Sequence, residues 1–253
     1  MSDTLAQNPY AAPSSNLQEI PANGQVPTVE EALRRGYDFS IGDLLSEAWQ
    51  RTKGTKGIIL GGFIIFYVVM FVAMTVVGFV FGLVGMMNPD SLGAMIVGQL
   101  VVTIIATAAT YPFLAGINMV GIRRAADQPV TFNEIFSHFG RTVPLIVAGL
   151  LMLLLIYVGM FLLIIPGIYL SVAYMLALPL VVERGLSPWQ ALEASRKAIS
   201  QHWFKCFGLF LLLGLILSLS AIPLGIGLIW TIPLFVVSIG VLYRTIFGVL
   251  PVK

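Results

Sequence analysis

The 253-residue chain has a formal net charge of only +2, and 58% of its residues are hydrophobic whereas 10% are charged. Soluble domains carry roughly 25% charged residues, so the composition excludes an ordinary soluble domain and predicts an integral membrane protein. The small net charge argues against nucleic acid as a partner. The single cysteine, Cys206, excludes an internal disulfide and a cysteine-based metal cluster, and we expect no cofactor.

The first 26 residues are polar and rich in proline, serine and asparagine. They include no apolar stretch of the kind that a signal peptide requires, so we expect no cleavable signal. We interpret residues 1–26 as a disordered cytoplasmic tail and residues 27–253 as one membrane domain. The alternative for the tail is that its Asn8-Pro9-Tyr10 segment is a docking peptide for a partner protein.

Six apolar runs after this tail predict six transmembrane helices. They cover residues 58–87, 93–122, 144–165, 168–182, 205–224 and 228–249. The predicted fold is therefore all-α and polytopic. The spans should be joined in pairs by short turns at 88–91, 166–167 and 224–227, which contain Asp90 as their only charged residue.

The 14 basic residues lie around the other, alternating gaps and in the two terminal segments. They are Arg34, Arg35, Arg51, Lys53, Lys56, Arg123, Arg124, Arg141, Arg184, Arg196, Lys197, Lys205, Arg244 and Lys253. Short loops that are rich in lysine and arginine stay in the cytoplasm. This distribution predicts that both termini are cytoplasmic and that the chain crosses the membrane six times.

Three of the predicted cytoplasmic segments carry a helix-start signal, in which a hydroxyl residue precedes an acidic or amide residue by three positions. The pairs are Ser40 and Asp43, Thr131 and Glu134, and Ser187 and Gln190. Pro188 also suits the first position of a helix, where its missing N–H has no cost. A fourth pair, Thr28 and Glu31, predicts a short helix through Leu33.

Apolar residues recur at helical spacing after each of the three signals. They are Ile41, Leu44, Leu45, Ala48 and Trp49; Phe132, Ile135, Phe136 and Phe139; and Trp189, Leu192, Ala198, Ile199 and Trp203. We predict three amphipathic elbow helices at the membrane surface, each followed by a hairpin of two spans. Docking of a partner or sensing of lipid are the alternative roles for these helices.

Prolines in the returning spans support this threefold arrangement. Pro112 and Pro233 each precede an arginine by 11 residues, whereas Pro179 precedes Arg184 by only 5. Because a proline inside a helix removes a backbone hydrogen bond, we expect kinks at these positions. The middle copy should be shorter than the others or end differently.

The cores of the predicted spans contain no Asp, Glu, Lys, Arg or His, which argues against proton-coupled transport. Gln99, Thr103 and Thr107 lie four residues apart on one helix face, and Asn118 follows in the same span. Hydrogen bonding between helices is the favoured role of these residues, and a polar cavity lined by them is the alternative.

The glycines Gly78, Gly82 and Gly85 in the first span permit close approach of another helix. Packing within the bundle is favoured over a homo-oligomer interface. The two histidines, His138 and His202, lie far apart in the sequence, and no phosphate loop or nucleophile motif is present. We therefore expect a protein that is not an enzyme.

Several short motifs resemble a group of bacterial inner-membrane proteins. The segments are 112–116 (Pro-Phe-Leu-Ala-Gly), Arg123-Arg124, 132–139, 177–183 (Ala-Leu-Pro-Leu-Val-Val-Glu) and 191–195 (Ala-Leu-Glu-Ala-Ser). They resemble the YciC-type proteins and the membrane domain fused to some glycerophosphodiester phosphodiesterases. The resemblance covers roughly residues 30–250 and implies a bacterial inner-membrane domain of six helices with cytoplasmic elbows. It carries over no catalytic residue.

The sequence favours a non-enzymatic inner-membrane protein that organises the envelope through contacts with membrane lipids or other inner-membrane proteins. Five basic residues are candidates for binding anionic headgroups: Arg123, Arg124, Arg196, Lys197 and Lys205. The alternative is a permease or flippase for a neutral or lipidic substrate, which would use the polar cavity of Gln99, Thr103, Thr107 and Asn118.

Overall fold

The computed structural model describes residues 26–87 and 92–251, and these residues form helices joined by short connections. The helices are α1 (Val29–Arg35), α2 (Ile41–Arg51), α3 (Lys56–Met87), α4 (Leu92–Ala125), a 3₁₀ helix (Phe132–Arg141), α5 (Thr142–Leu162), α6 (Ile164–Ala173), α7 (Ala177–Glu183), α8 (Pro188–Gln201), α9 (Trp203–Ala221) and α10 (Leu228–Phe247). The predicted tail up to residue 25 and the predicted turn at 88–91 lie outside the described residues.

Within residues 26–87 and 92–251, six helical stretches are long and apolar enough to cross a membrane, as predicted. They are Lys56–Leu83, Ile96–Ala125, Phe132–Leu162, Ile164–Glu183, Trp203–Ala221 and Leu228–Phe247. The predicted turn at 224–227 is confirmed, since α9 ends at Ala221 and α10 begins at Leu228. Two residues in this turn, Leu224 and Gly225, have positive φ angles.

The predicted turn at Pro166 and Gly167 is wrong. The chain reverses at Leu163 instead, and both residues lie in the first turn of α6. A proline has no cost there, because the first N–H groups of a helix have no partner within the helix. A glycine is required at position 167 because α5 and α6 pack closely there: a Cβ atom on residue 167 would lie 2.3 Å from Cγ of Met160.

The fourth span is broken into α6 and α7 by the segment Tyr174–Leu176. The hydroxyl of Ser195 in α8 satisfies both sides of this break. It accepts a hydrogen bond from the backbone N–H of Leu176 at 3.2 Å and donates one to the carbonyl of Ala173 at 2.7 Å. Pro179 lies in the first turn of α7. The kink predicted at this proline is therefore a complete break, after which a new helix begins.

The predicted helix-start signals have different outcomes. Thr28 and Glu31 form the complete capping box at the start of α1. At α8, the Gln190 side chain accepts a hydrogen bond from the backbone N–H of Ser187 at 3.1 Å. A helix does begin directly after Thr131, but the predicted capping box is wrong there, because the Thr131 side chain makes no capping hydrogen bond and Glu134 pairs with Arg123.

Helix α10 lies at the centre of the fold and packs against α1, α2, α3, α4 and α9. From Val236 to Phe247 every residue of α10 except Arg244 is buried. Its closest neighbour is α4, which it meets at Gly121 and Gly240. A Cβ atom on Gly240 would lie 2.2 Å from the carbonyl oxygen of Gly121, so this crossing has no room for a side chain.

Helix α3 lies at the periphery and has no buried residue between Phe63 and Leu83. A Cβ atom on Gly78 or Gly82 would meet no described atom within 4 Å. The predicted packing of another helix against these two glycines is therefore not seen in the described part of the bundle. Gly85 lies among residues whose side chains the structure does not describe.

Candidate functional site

Arginines from neighbouring elements bind the carboxyl-terminal ends of the second, fourth and sixth spans. Arg244 donates a hydrogen bond to the carbonyl of Ala125, the last residue of α4. Arg141 donates to the carbonyl of Val181 in α7, and Arg35 donates to that of Ile246 in α10. Because the last carbonyls of a helix have no partner in the helix and carry partial negative charge, these arginines act as caps supplied by other elements.

Glu47 of α2 lies between two of the arginines. One carboxylate oxygen lies 2.6 Å from Nε of Arg51 and 2.7 Å from a guanidinium nitrogen of Arg244. Arg51 also pairs with Asp127 at 2.6 Å, and this hydrogen bond keeps the pKa of Asp127 below its ordinary value. Arg124 donates to the carbonyls of Arg51 and Lys53 at 2.8 Å each. These contacts join the ends of α2, α4 and α10.

A second group of contacts holds the carboxyl-terminal segment after α10. The Glu183 carboxylate accepts hydrogen bonds from the Tyr243 hydroxyl at 2.7 Å and from the backbone N–H of Leu250 at 2.6 Å. Arg184 donates to the carbonyl of Pro27 at 2.9 Å and to that of Phe247. The chain segments before α1 and after α10 are thus fixed to the end of α7.

Each of the five predicted headgroup-binding residues has a partner within the chain. Arg123 pairs with Glu134 at 2.5 Å, and Arg124 binds the two carbonyls already described. Arg196 and Lys197 share Glu193 at 2.8 and 3.4 Å, while Lys205 lies 2.5 Å from Asp38. The bond from Lys205, together with one from the backbone of Phe39, lowers the pKa of Asp38. A lipid headgroup would have to compete with these partners.

Lys56, the first residue of α3, has different surroundings. No carboxylate of the described residues lies within 4 Å of its ammonium group. The ammonium nitrogen lies 6.0 Å from the ring centre of Trp49 and 5.5 Å from that of Trp230. These are the distances of cation–π contacts. The tryptophans are 50% and 41% exposed, respectively.

This contact between Lys56 and Trp230 is not expected from the sequence. The alternating basic gaps predict that the first span starts in the cytoplasm and that the sixth span starts outside. In the structure, the first turns of α3 and α10 lie close enough for their side chains to touch. The charge pattern predicts on which side of the membrane each span starts. It contains no information on how the helices are tilted and packed against one another.

A cavity of about 220 Å³ lies between four of the spans. Seven of the eight lining residues are apolar, and the eighth is an asparagine: Phe63, Leu114, Ile117, Asn118, Leu217, Ile232, Phe235 and Val236. It is smaller than the roughly 300–1,000 Å³ typical of sites for whole drug-sized ligands. Its size and lining suit a segment of a hydrocarbon chain.

The four residues predicted to form a polar cavity are separated in the structure. Asn118 lines the cavity, whereas Gln99 and Thr103 are exposed and Thr107 is half-buried. The Thr103 hydroxyl donates to the carbonyl of Gln99 at 2.8 Å, within its own helix. Pro112 lies between Thr107 and Asn118 in α4.

The sequence does not indicate that Trp49, Lys56 and Trp230 form a group. Tryptophan and lysine at the ends of spans are a known signal for the membrane interface, and this signal could have marked each residue separately. Their grouping depends on the packing of α2 and α3 against α10 and is visible only in the structure.

Comparisons of the chain with protein-family models, with curated proteins and with solved structures found no match.

Proposed function

We propose that this chain is a non-enzymatic integral membrane protein that organises the membrane by binding lipid, with an acyl-chain segment in the cavity beside Asn118. The observation that carries this proposal is the cavity itself, which is almost entirely apolar and lies between α3, α4, α9 and α10. In a membrane, the acyl chains of the bilayer are the most abundant apolar ligands. A chain segment that fills this preformed apolar space gains van der Waals contacts with its walls.

The proposal includes the location and topology that the sequence predicts. The membrane is a bacterial inner membrane, both termini are cytoplasmic, and the six spans form three hairpins preceded by the elbow segments α2, the 3₁₀ helix and α8. The arginine caps on α4, α7 and α10 support this arrangement, because they gather the ends of the three returning spans in one charged layer. Such a layer belongs outside the hydrocarbon core, because a charge inside the core is costly.

The apolar faces of the elbow segments are partly occupied by protein. Leu44 and Ala48 of α2 are fully buried, and Ile135 of the 3₁₀ helix packs beneath Gly116 and Gly62. Trp49 and Trp189 remain exposed and are the residues of these segments best suited to contact lipid. We propose that the elbows lie at the interface by means of these aromatic side chains.

A permease or flippase for a neutral substrate is less well supported. That function favours a continuous polar path, and Asn118 is the only polar residue among those that line the cavity.

The proposal can be tested by filling the cavity. Leu217→Trp should obstruct it and reduce the number of phospholipids that remain bound to the purified protein in native mass spectrometry. Leu215→Trp is the matched control, because Leu215 lies on the same helix but is 56% exposed. Equal lipid retention by Leu217→Trp, Leu215→Trp and the unmodified protein, with unchanged thermal stability, would refute the proposal.

A further inference from the structure

We propose that the bound lipid is one anionic phospholipid, whose headgroup is held by Lys56 and Trp49 while one acyl chain passes Trp230 and enters the cavity. The inference rests on the proposed function and adds the class of lipid and the residues that select it. It depends on three features of the structure: a cation with no carboxylate partner among the described residues, two exposed tryptophans and the position of the cavity relative to both.

The cation is the first feature. Two arginines near the start of α3 bind groups of the protein: Arg51 pairs with Glu47 and Asp127, and Arg124 binds two carbonyls. Lys56 is half-buried and has no carboxylate partner among the described residues. A phosphate oxygen of a headgroup would supply the missing negative charge.

The tryptophans are the second feature. Each ring presents a face or edge near the Lys56 ammonium group and leaves about half of its surface exposed. Indole rings are favoured at the level of the headgroups, where their apolar body contacts chains and their N–H meets polar groups. A headgroup beside Trp49 and Lys56 would therefore contact both a charge and an amphipathic surface, while the Trp230 ring, two residues before the cavity residue Ile232, would contact the acyl chain.

The position of the cavity is the third feature. Lys56 and Phe63 lie seven residues apart on α3, which places them on the same helix face and separates them by roughly 10 Å along the axis. Phe63 lines the cavity, as does Ile232, two residues after Trp230. A phospholipid with its phosphate at Lys56 can extend one chain along this face into the cavity. The small volume accommodates a chain segment and excludes a helix of a partner protein.

The experiment compares lipids that differ only in charge. The protein is purified with mixed phosphatidylglycerol and phosphatidylcholine of identical chains, and bound lipids are counted by native mass spectrometry. The unmodified protein should retain phosphatidylglycerol about fivefold better, which corresponds to the roughly 1 kcal/mol of one basic residue near an anionic headgroup. Lys56→Gln should abolish this preference, and Lys56→Arg should preserve it.

Lys197→Gln removes the same charge from an exposed site and serves as the control. Thermal unfolding of every variant verifies that the fold is intact. If Lys56→Gln keeps the preference while Leu217→Trp loses lipid, the headgroup assignment is wrong and the proposed function stands. If Leu217→Trp loses no lipid, the proposed function fails as well. A preference that is lost equally in Lys56→Gln and Lys197→Gln would show general electrostatic attraction and overturn the inference.

Discussion

The crossing of α4 and α10 predicts a large cost for one added methyl group. A Cβ atom on Gly240 would lie 2.2 Å from the carbonyl oxygen and 2.3 Å from the carbonyl carbon of Gly121. Ordinary contacts are longer by more than 1 Å, so the two backbones must separate. Because α10 is the central helix, this separation would disturb the packing on several sides.

The magnitude for Gly240→Ala is the difference between two effects. Overpacking of a tight interior costs about 1–3 kcal/mol and sometimes more, and a carbonyl in a helix cannot turn aside as a side chain can. Replacement of glycine by alanine in a helix gains about 1 kcal/mol in propensity. We expect a net loss of about 2 kcal/mol, which for a chain of this size lowers the midpoint of thermal unfolding by about 4–8 °C.

The assay is thermal unfolding in a fixed detergent, monitored by tryptophan fluorescence. Gly214→Ala in α9 is the control, because a Cβ atom there meets no described atom within 4 Å. It should leave the midpoint unchanged or raise it slightly. Equal midpoints for Gly240→Ala and Gly214→Ala would refute the argument that the close crossing stabilises the fold.

Two further predictions concern stability. Ser195→Ala should lower the free energy of unfolding by about 1–3 kcal/mol, because the buried N–H of Leu176 and the carbonyl of Ala173 lose their shared partner. Circular dichroism during heating measures this loss. A loss no greater than that of the exposed control Ser200→Ala would contradict the prediction. The hydrogen bond from Arg51 lowers the pKa of Asp127. The ion pair therefore stabilises the fold fully above the ordinary pKa of an aspartate, near 4, and this stabilisation is lost as the pH falls through the lowered pKa. Asp127→Asn should therefore be less stable than the unmodified protein by under about 1 kcal/mol at neutral pH, and the difference should shrink below about pH 4; a difference that stays constant with pH would exclude the ion pair as its cause.

The number of spans was predictable because each span is encoded locally. An uninterrupted apolar run of sufficient length has few alternatives to a membrane helix, and all six runs correspond to helical stretches. The break in the fourth span was not predictable in the same way. Pro179 indicated a disturbance, but the hydroxyl that satisfies the free backbone groups comes from Ser195, which is distant in sequence.

The candidate site was predictable only in part. Asn118 could be selected as a polar residue within a span, whereas the apolar lining of its cavity comes from four separate helices. The sequence predicts one side of the membrane for the basic residues, since charge is read directly from it, and this stays a prediction. Tertiary packing decides which of them bind carboxylates or carbonyls, as Arg123 and Arg124 do. It also decides which, like Lys56, have no carboxylate nearby in the part of the chain that the structure describes.

The most direct test of the account is an experimental structure of the protein in a lipid nanodisc that contains phosphatidylglycerol. The account predicts density for one acyl-chain segment in the cavity between Phe63, Asn118 and Leu217, continuous with a phosphate near the Lys56 ammonium group. A cavity that contains no chain density, with Lys56 paired to a protein carboxylate instead, would contradict it.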